Sequence, residues 1–397
     1  MVHDNKKPLP ALTSLRFAAA LAIMVHHCNG VFWKAAELGP LDVGVSFFFV
    51  LSGFILTYVY RDIEPTRARF AGFYRARLAR IWPLHLSCLL MTIVLIAVPE
   101  PFDLRVLAAN ALLLHAWIPL DRYFFSYNYV SWTISTELFF YLIFPFMMVH
   151  ARRWLNRTLL LAAVTVVALA LTSYWAHLLP WETTHDHLSS TGLLYTNPLA
   201  RVGEFLFGIA TGMIFLDERA VADQTVEDRR QRLLWSAAEL GSIALFVLGY
   251  RFLLSYYAPA IHQIMLSAGA TSVPLTGIAG ESALLPQLSP FGSLIVNEWA
   301  NHVGLTPFAV LLIYVLAHQR GVVSRALSHP ALVFLGETSF ALYLVHQIML
   351  RFVQQQGWRT DGVGFALYLG CALLVAASLH LLLEKPARAL LAGRRVR

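Results

Sequence analysis

The stretch ALTSLRFAAALAIMVHHCNGV, residues 11–31, decides what kind of molecule this is. It is long and apolar enough to cross a bilayer, which takes about 20 such residues. It nevertheless carries Arg16 and His27. At about 100° and 1.5 Å per residue, the eleven steps between them come to three turns plus roughly 20°, so both side chains lie on one stripe of one helix, about 16 Å apart along its axis. An isolated charge in hydrocarbon is expensive, and ionisable groups there face the bundle interior or a wet cavity. A permanent cation and a titratable base on a shared stripe predict a buried polar path, with the cation near one mouth and the base deeper in.

The rest of the chain has the same character. Of 397 residues, 58% are hydrophobic and 13% charged, with a mean hydropathy of +0.61; a soluble domain has about a quarter of its residues charged. The expected fold is all-α: a polytopic helical bundle embedded in the lipid bilayer. Spans are expected near 11–31, 43–60, 80–98, 132–149, 158–179, 199–216, 234–254, 303–318, 331–352 and 363–383, ten in all. The N-terminal run Met1 to Lys7 leads straight into the first of these with no small-x-small cleavage site, so that segment reads as a permanent signal anchor. The chain reads as one membrane domain over 1–397, with no appended soluble domain.

An eleventh apolar stretch, 104–118, is short and carries Arg105, Asn110 and His115. The excess of Lys and Arg in cytoplasmic loops decides its treatment. Lys6 and Lys7 put the N-terminus in the cytoplasm, and Arg61, Arg67, Arg69, Arg75, Arg77 and Arg80 put the loop after the second span there too. The Pro99–Asp103 turn is then external, and Arg152, Arg153 and Arg157 return the chain to the cytoplasm. One net crossing fits between, and 132–149 takes it; 104–118 is expected to be re-entrant or interfacial. The loops 217–233 and 319–330 and the tail Arg394–Arg397 then fall inside, so both termini are cytoplasmic. The net charge of +7 reflects these loops and gives no reason to expect a nucleic-acid partner. Cys28, Cys88 and Cys371 have neither metal spacing nor an evident pairing and read as small buried apolar residues; no metal site is expected. Two external loops stand out: 180–198, with Trp181, Glu182, His185, Asp186 and His187, and the long 255–302. Loops of that length are lids or binding elements, or partly ordered connections.

His27 is the leading candidate for a general base, because imidazole titrates near neutrality; its neighbour His26 is rotated about 100° away. Arg77 and Arg80 are three apart and share a face if the helix has begun there, and with Arg75 they form a basic edge suited to phosphate oxygens, although topology and lipid headgroups also account for it. Trp132 opens the next strong span; in it Glu137 and Tyr141 are four apart. A carboxylate there needs a partner, either to orient a histidine or acceptor, or as a structural ion pair. Arg201 and Glu204 are spaced as a local salt bridge. Tyr343 and His346 share a face of an apolar span, where helix packing is the default reading. Glu384-Lys385-Pro386 reads as the stop of the last span. Gly44, Ser46, Ser52 and Gly53 supply small residues for close helix packing.

Taken in order, these elements resemble the acyltransferase-3 family of integral membrane acyltransferases, which modify bacterial polysaccharides, lipids and some antibiotics. The resemblance rests on Arg16 through His27, on Gly44 to Gly53, on Arg77 and Arg80 before Ile81-Trp82-Pro83, on Trp132 to Tyr141, on Leu335-Gly336 to His346, and on Glu384-Lys385-Pro386. It implies an O-acyltransferase fed by cytoplasmic acyl-CoA, with some ten spans. Some relatives carry a C-terminal hydrolase-like domain, and none is expected here.

The reaction expected from the resemblance and the residues together moves an acetyl group from acetyl-CoA to a sugar hydroxyl of an exopolysaccharide or lipopolysaccharide, in the bacterial inner membrane. Acyl-CoA is a substrate, and no resident cofactor is expected. Arg75, Arg77 and Arg80 would hold the CoA phosphates, Arg16 would line the thioester path, His27 would act as base or acyl carrier, and Glu137 would orient His27 or the acceptor. Tyr141, Trp132, Tyr343, His346, Arg201 and Glu204 would support substrate or catalytic groups. A lipid or macrolide acceptor, a partnership with polysaccharide assembly machinery, and a transporter or flippase of a lipid-linked glycan are the alternatives. In-phase polar residues fit a transporter equally well on physics alone, but no paired broken helices support it.

Overall fold

In lipid a backbone must satisfy its own polar groups, which leaves helices and closed barrels as spanning structures. This chain takes the first route. The computed structural model describes residues 7–33, 41–96, 103–178, 187–222, 229–267, 299 and 303–391. In chain order the helices are α1 Pro10–Cys28, α2 Gly44–Tyr60, α3 Arg67–Leu95, α4 Leu104–Ala111, α5 Asp121–Phe124, α6 Trp132–Val149, α7 Ala151–Trp175, α8 Ser190–Leu194, α9 Pro198–Ala222, α10 Arg229–Ser267, α11 Thr306–Ala317, α12 Val322–Leu327, α13 Pro330–Gln355, α14 Gly362–Leu379 and α15 Lys385–Leu391. Among the described residues nine helices are long and apolar enough to cross a membrane. The expected span at 303–318 is the exception: α11 has 12 residues, which rise only about 18 Å against a hydrocarbon core of about 30 Å.

Contacts between helix ends sort the bundle into two poles. At one, the Tyr58 hydroxyl donates to the Lys7 carbonyl (2.8 Å), Arg61 pairs with Asp217, and the Ser14 hydroxyl donates to the Leu327 carbonyl (2.5 Å). At the other, the Asn128 amide donates to Leu344 (2.8 Å), Arg351 donates to Tyr127 (2.5 Å), and His27 meets His346. The arginines of the loop after α2 cluster at the first pole.

The 104–131 region does not span. α4 gives way at Leu113, whose φ of 59° is left-handed, to isolated short turns. Irregular backbone at membrane depth is tolerated where it is buried in protein, and here side chains hold it. The Ser135 hydroxyl donates to the Leu113 carbonyl (2.6 Å), His85 Nε2 lies 2.9 Å from the Asn110 carbonyl, and the His115 and Ser131 side chains meet at 3.2 Å. The last span departs from expectation. The Glu384-Lys385-Pro386 sequence does not stop it: α14 passes through a π turn, His380–Glu384, into α15. A proline inside a helix lacks its N–H and crowds the carbonyl four residues back; the widened turn just upstream makes room for Pro386. Glu384 is buried there, with His380 Nδ1 at 2.8 Å. The expected loop 255–302 also begins later, since α10 continues to Ser267. Its remainder apart from residue 299, together with Lys6, Pro99–Phe102, Trp181, Glu182, His185, Asp186 and Arg394–Arg397, lies outside the described residues. The three cysteines are all free.

Small residues set the tightest crossings, as expected for packing without a hydrophobic drive between helices. A Cβ on Gly53 of α2 would strike the Phe205 carbonyl and Ile209 nitrogen of α9, and one on Gly208 of α9 would strike the Val50 carbonyl and Phe54 nitrogen of α2. Backbone meets backbone, so neither helix can yield by turning a side chain. Gly203, on the same α9, faces open space. Gly208→Ala is therefore expected to lower the thermal unfolding temperature in detergent sharply or to abolish folded yield. Gly203→Ala should leave it unchanged or raise it, because alanine is the better helix former by up to about 1 kcal/mol.

Candidate active site

Five helices converge on a cavity of about 270 Å³ near the arginine-bearing pole. α1 contributes Arg16, α2 Ser52, α3 Arg77 and Arg80, and α6 Thr133, Glu137 and Tyr141; Tyr343 of α13 closes the far side. Arg75 does not join them. It is exposed, because two steps along a helix turn it about 200° from Arg77. The phosphate-holding set expected from sequence thus reduces to Arg77 and Arg80, with Arg16 beside them.

The cavity's charges are unequal. Three guanidinium groups and one carboxylate line it. The Arg77 guanidinium sits 5.5, 5.9 and 5.8 Å from the rings of Tyr60, Phe73 and Tyr141, and its Nε has no hydrogen-bond partner among the described residues. Arg16 lies within electrostatic reach of Arg80, Glu384 and Glu137, but no carboxylate comes within salt-bridge distance of either arginine among the described residues. Glu137 is instead committed locally: its Oε1 accepts from the Tyr141 hydroxyl (2.5 Å) and the Ser52 hydroxyl (3.1 Å). Glu137 was expected to orient His27 or the acceptor; it makes no contact with His27. Guanidinium forks without carboxylates, stacked on aromatic faces, are what phosphate recognition uses.

His27 lies beyond this cavity, in the last turn of α1, and its partner is another histidine. His27 Nδ1 stands 3.0 Å from His346 Nε2, the rings stacking at 5.2 Å. His346 Nδ1 stands 3.2 Å from the Leu342 carbonyl. A carbonyl only accepts, so Nδ1 of His346 carries the proton and its Nε2 the lone pair. That lone pair accepts from His27 Nδ1–H, and the His27 Nε2 lone pair has no partner among the described residues. The hydrogen bonds thus fix the tautomer that a general base requires. His346 is fully buried and His27 half-buried, so the reachable imidazole is the one with the free lone pair. The dyad connects to the cavity through Tyr343, which lines it and lies 5.9 Å from the His346 ring. Phe48 packs edge-on against Tyr343 at 6.0 Å, and the Thr133 hydroxyl meets the Tyr343 hydroxyl at 3.0 Å.

Arg201 and Glu204 form the salt bridge their spacing suggested, more deeply than expected. Both are buried, and they pair through two 2.8 Å hydrogen bonds. The guanidinium also donates to Ser46 (2.9 Å) and the Tyr195 carbonyl (3.1 Å), and it lies 5.2, 5.7 and 5.3 Å from the rings of Phe49, Trp132 and Tyr195. Neither residue, nor Trp132, lines the cavity. Four polar residues escaped the sequence reading of the site: Ser52, Thr133, Asp42 and Glu384. Ser52 and Thr133 stand in apolar spans where a hydroxyl needs a partner, which was a usable signal. Asp42 sits in a short turn before α2, accepts from the Tyr195 hydroxyl (3.2 Å) and lies within electrostatic reach of His27; nothing local marked it.

A helical membrane bundle with a cationic cavity at one pole and an imidazole base beyond it has the parts of a membrane group-transfer enzyme. The chain belongs to the acyltransferase-3 family, whose acyltransferase domain matches residues 9–381. It is therefore a multi-pass membrane acyltransferase. It is 28% identical to the acyltransferase MdmB of Streptomyces mycarofaciens over 423 aligned positions, covering 98% of this chain and 93% of that protein. It is 24% identical to the O-acetyltransferase OatA of Staphylococcus aureus, covering 87% of this chain, and 21% identical to the peptidoglycan O-acetyltransferase OatA of Listeria monocytogenes, covering 86%. The match spans about half of each OatA, 51% and 49%. No solved structure matches.

Breaking a buried ion pair from one side leaves a charge without compensation, at a cost of about 3–5 kcal/mol. Glu204→Leu should therefore lose most folded protein, measured as the monodisperse yield in detergent. The double change Arg201→Met with Glu204→Leu should recover part of it.

Proposed function

We propose that the enzyme transfers an acetyl group from cytoplasmic acetyl-CoA to a sugar hydroxyl of a cell-surface glycan, in the bacterial inner membrane with both termini cytoplasmic. The observation that carries this reading is the cavity lined by Arg16, Arg77 and Arg80, none of which forms an ion pair among the described residues. CoA is a polyphosphate, and its phosphates would occupy Arg77 and Arg80. The acyl thioester would point inward past Arg16 toward Tyr343. Relatives named as O-acetyltransferases support acetyl as the acyl group.

The acceptor hydroxyl would approach from the His27 side. His27 Nε2 takes the hydroxyl proton as the oxygen attacks the thioester carbonyl. The C–O bond forms and the C–S bond breaks; the thiolate leaves and takes up the proton as CoA thiol. While His27 is an imidazolium, its Nδ1–H remains directed at His346. This makes His346 a positioning residue, and Glu137 acts on Tyr141 and Ser52 at the cavity wall. Because Tyr343 and Phe48 stand between cavity and dyad, the two must part, or the acyl group must pass them, for the centres to meet.

The test is acceptor-dependent release of CoA thiol from acetyl-CoA by purified protein. His27→Ala should lower turnover by about 10²–10⁴, the contribution of general acid–base catalysis. His346→Ala should lower kcat with little change in KM for acetyl-CoA, and His346→Gln, whose amide oxygen can accept from Nδ1–H, should restore part of it. Arg77→Ala and Arg80→Ala should raise KM for acetyl-CoA, whereas Arg75→Ala should not. Unchanged turnover in a folded His27→Ala protein would overturn the mechanism.

A further inference from the structure

Tyr368 of α14 belongs to neither the arginine cavity nor the imidazole pair, and it is buried. Its ring packs against Phe32 and Phe365, with centroids 5.3 and 6.5 Å away. A buried tyrosine hydroxyl needs a partner, which any neighbouring turn could supply. This one lands at both halves of the dyad. The hydroxyl donates to the His346 backbone carbonyl at 3.0 Å. It also pairs with the thiol of Cys28, the residue after His27. A hydroxyl has one hydrogen, and the carbonyl takes it, so the thiol donates to the hydroxyl oxygen. One side chain of α14 thereby ties the end of α1 to α13.

That tie sits where the pair of imidazoles needs it. Toward the arginine-bearing pole the backbones of α1 and α13 touch: a Cβ on Gly336 would strike the Thr13 carbonyl and the Ser14 nitrogen. His27 lies about 21 Å further along α1 from Thr13. Over that length, a tilt of about 5° about the glycine contact moves the end of α1 by about 2 Å. Such a shift breaks the 3.0 Å approach of His27 Nδ1 to His346 Nε2, because a hydrogen bond of this kind tolerates only a few tenths of an ångström. One neutral hydrogen bond is weak against a motion of whole helices. The Tyr368 bridge adds two more at the same place, one to each helix.

We propose that Tyr368 is a positioning residue for the reaction: its hydroxyl, held between the Cys28 thiol and the His346 carbonyl, sets the distance at which His346 accepts from His27 and so fixes the proton of His27 on Nδ1. This rests on the proposed role of His27 as general base and extends it to a third helix, which acts through the two imidazoles.

The test compares the full chain with its Tyr368→Phe variant in detergent, which keeps the ring and removes the hydroxyl. Diethyl pyrocarbonate modifies imidazole nitrogens that carry an accessible lone pair, and mass spectrometry of the digest reports each histidine separately. His346 has both ring nitrogens engaged and should be protected in the unaltered protein. Tyr368→Phe should label His346 about five- to tenfold faster, the effect of one lost hydrogen bond on a local opening. His85 and His115, buried elsewhere in the bundle, should stay protected. In the CoA-release assay kcat should fall about tenfold or more, as misplacement by about 1 Å does, with KM for acetyl-CoA unchanged because the arginine cavity is untouched. Cys28→Ala removes the other end of the bridge and serves if Tyr368→Phe fails to fold. Equal protection of His346, or an unchanged kcat, would overturn the proposal. So would label on His85 and His115 as well, which would make Tyr368 an ordinary core residue. If the unaltered protein releases no CoA while the variant exposes His346 alone, the bridge stands and the acyl-transfer reading is what fails.

Discussion

The ion pair of Arg201 and Glu204 is the constraint on which the rest of this molecule depends. A lone arginine at the middle of a membrane helix costs about 2.5–3.5 kcal/mol even on the most lenient scales. This one is fully buried, with its charge answered by Glu204 and its remaining donors by Ser46 and the Tyr195 carbonyl. Phe49 of α2, Trp132 of α6 and Tyr195 before α9 stack around it. One guanidinium on α9 thus gathers α2 and α6 around it, and both of those helices carry cavity residues within three turns of the contact. Ser52 lies further along α2, and Thr133, Glu137 and Tyr141 follow Trp132 on α6. The Gly53–Gly208 crossing locks α2 to α9 in the same register. Cavity geometry is in this sense inherited from a cage outside the cavity lining.

How much of this could be read from the chain divides along a physical line. Features set by one helix were legible. The 3.6-residue period put Arg16 and His27 on one stripe, joined Arg201 to Glu204 and Glu137 to Tyr141, and the loop arginines excluded a crossing at 104–118. Features set by two helices were not. His27 and His346 are 319 positions apart, and no periodicity in either segment announces the other. The period also carried information that was not used: two steps separate Arg75 from Arg77, which already turns Arg75 away from the cavity. Pro386 was read by its usual meaning as a stop; the π turn that accommodates it depends on where Glu384 and His380 find burial, which is a tertiary matter.

The site also separates its groups between the two poles. The arginines, permanently charged, stand at the loop-rich pole. The histidines, which can be neutral, stand toward the other, with His27 in the last turn of α1. Tyr343, touching both regions, is the hinge of that division: its hydroxyl is tied to Thr133, and its ring meets Phe48 on one side and His346 on the other.

A string of ionisable side chains through a membrane protein is also the recipe for a proton wire, and a cell cannot tolerate a leak of that kind. The hydrogen bond from His346 to the Leu342 carbonyl answers this danger. A backbone carbonyl can hold a proton's attention but has none of its own to hand on, so a relay that reaches it stops. The imidazole pair can store a charge for the moment of reaction and must return it the way it came. A membrane enzyme can in this way host acid–base chemistry without discharging the bilayer it lives in.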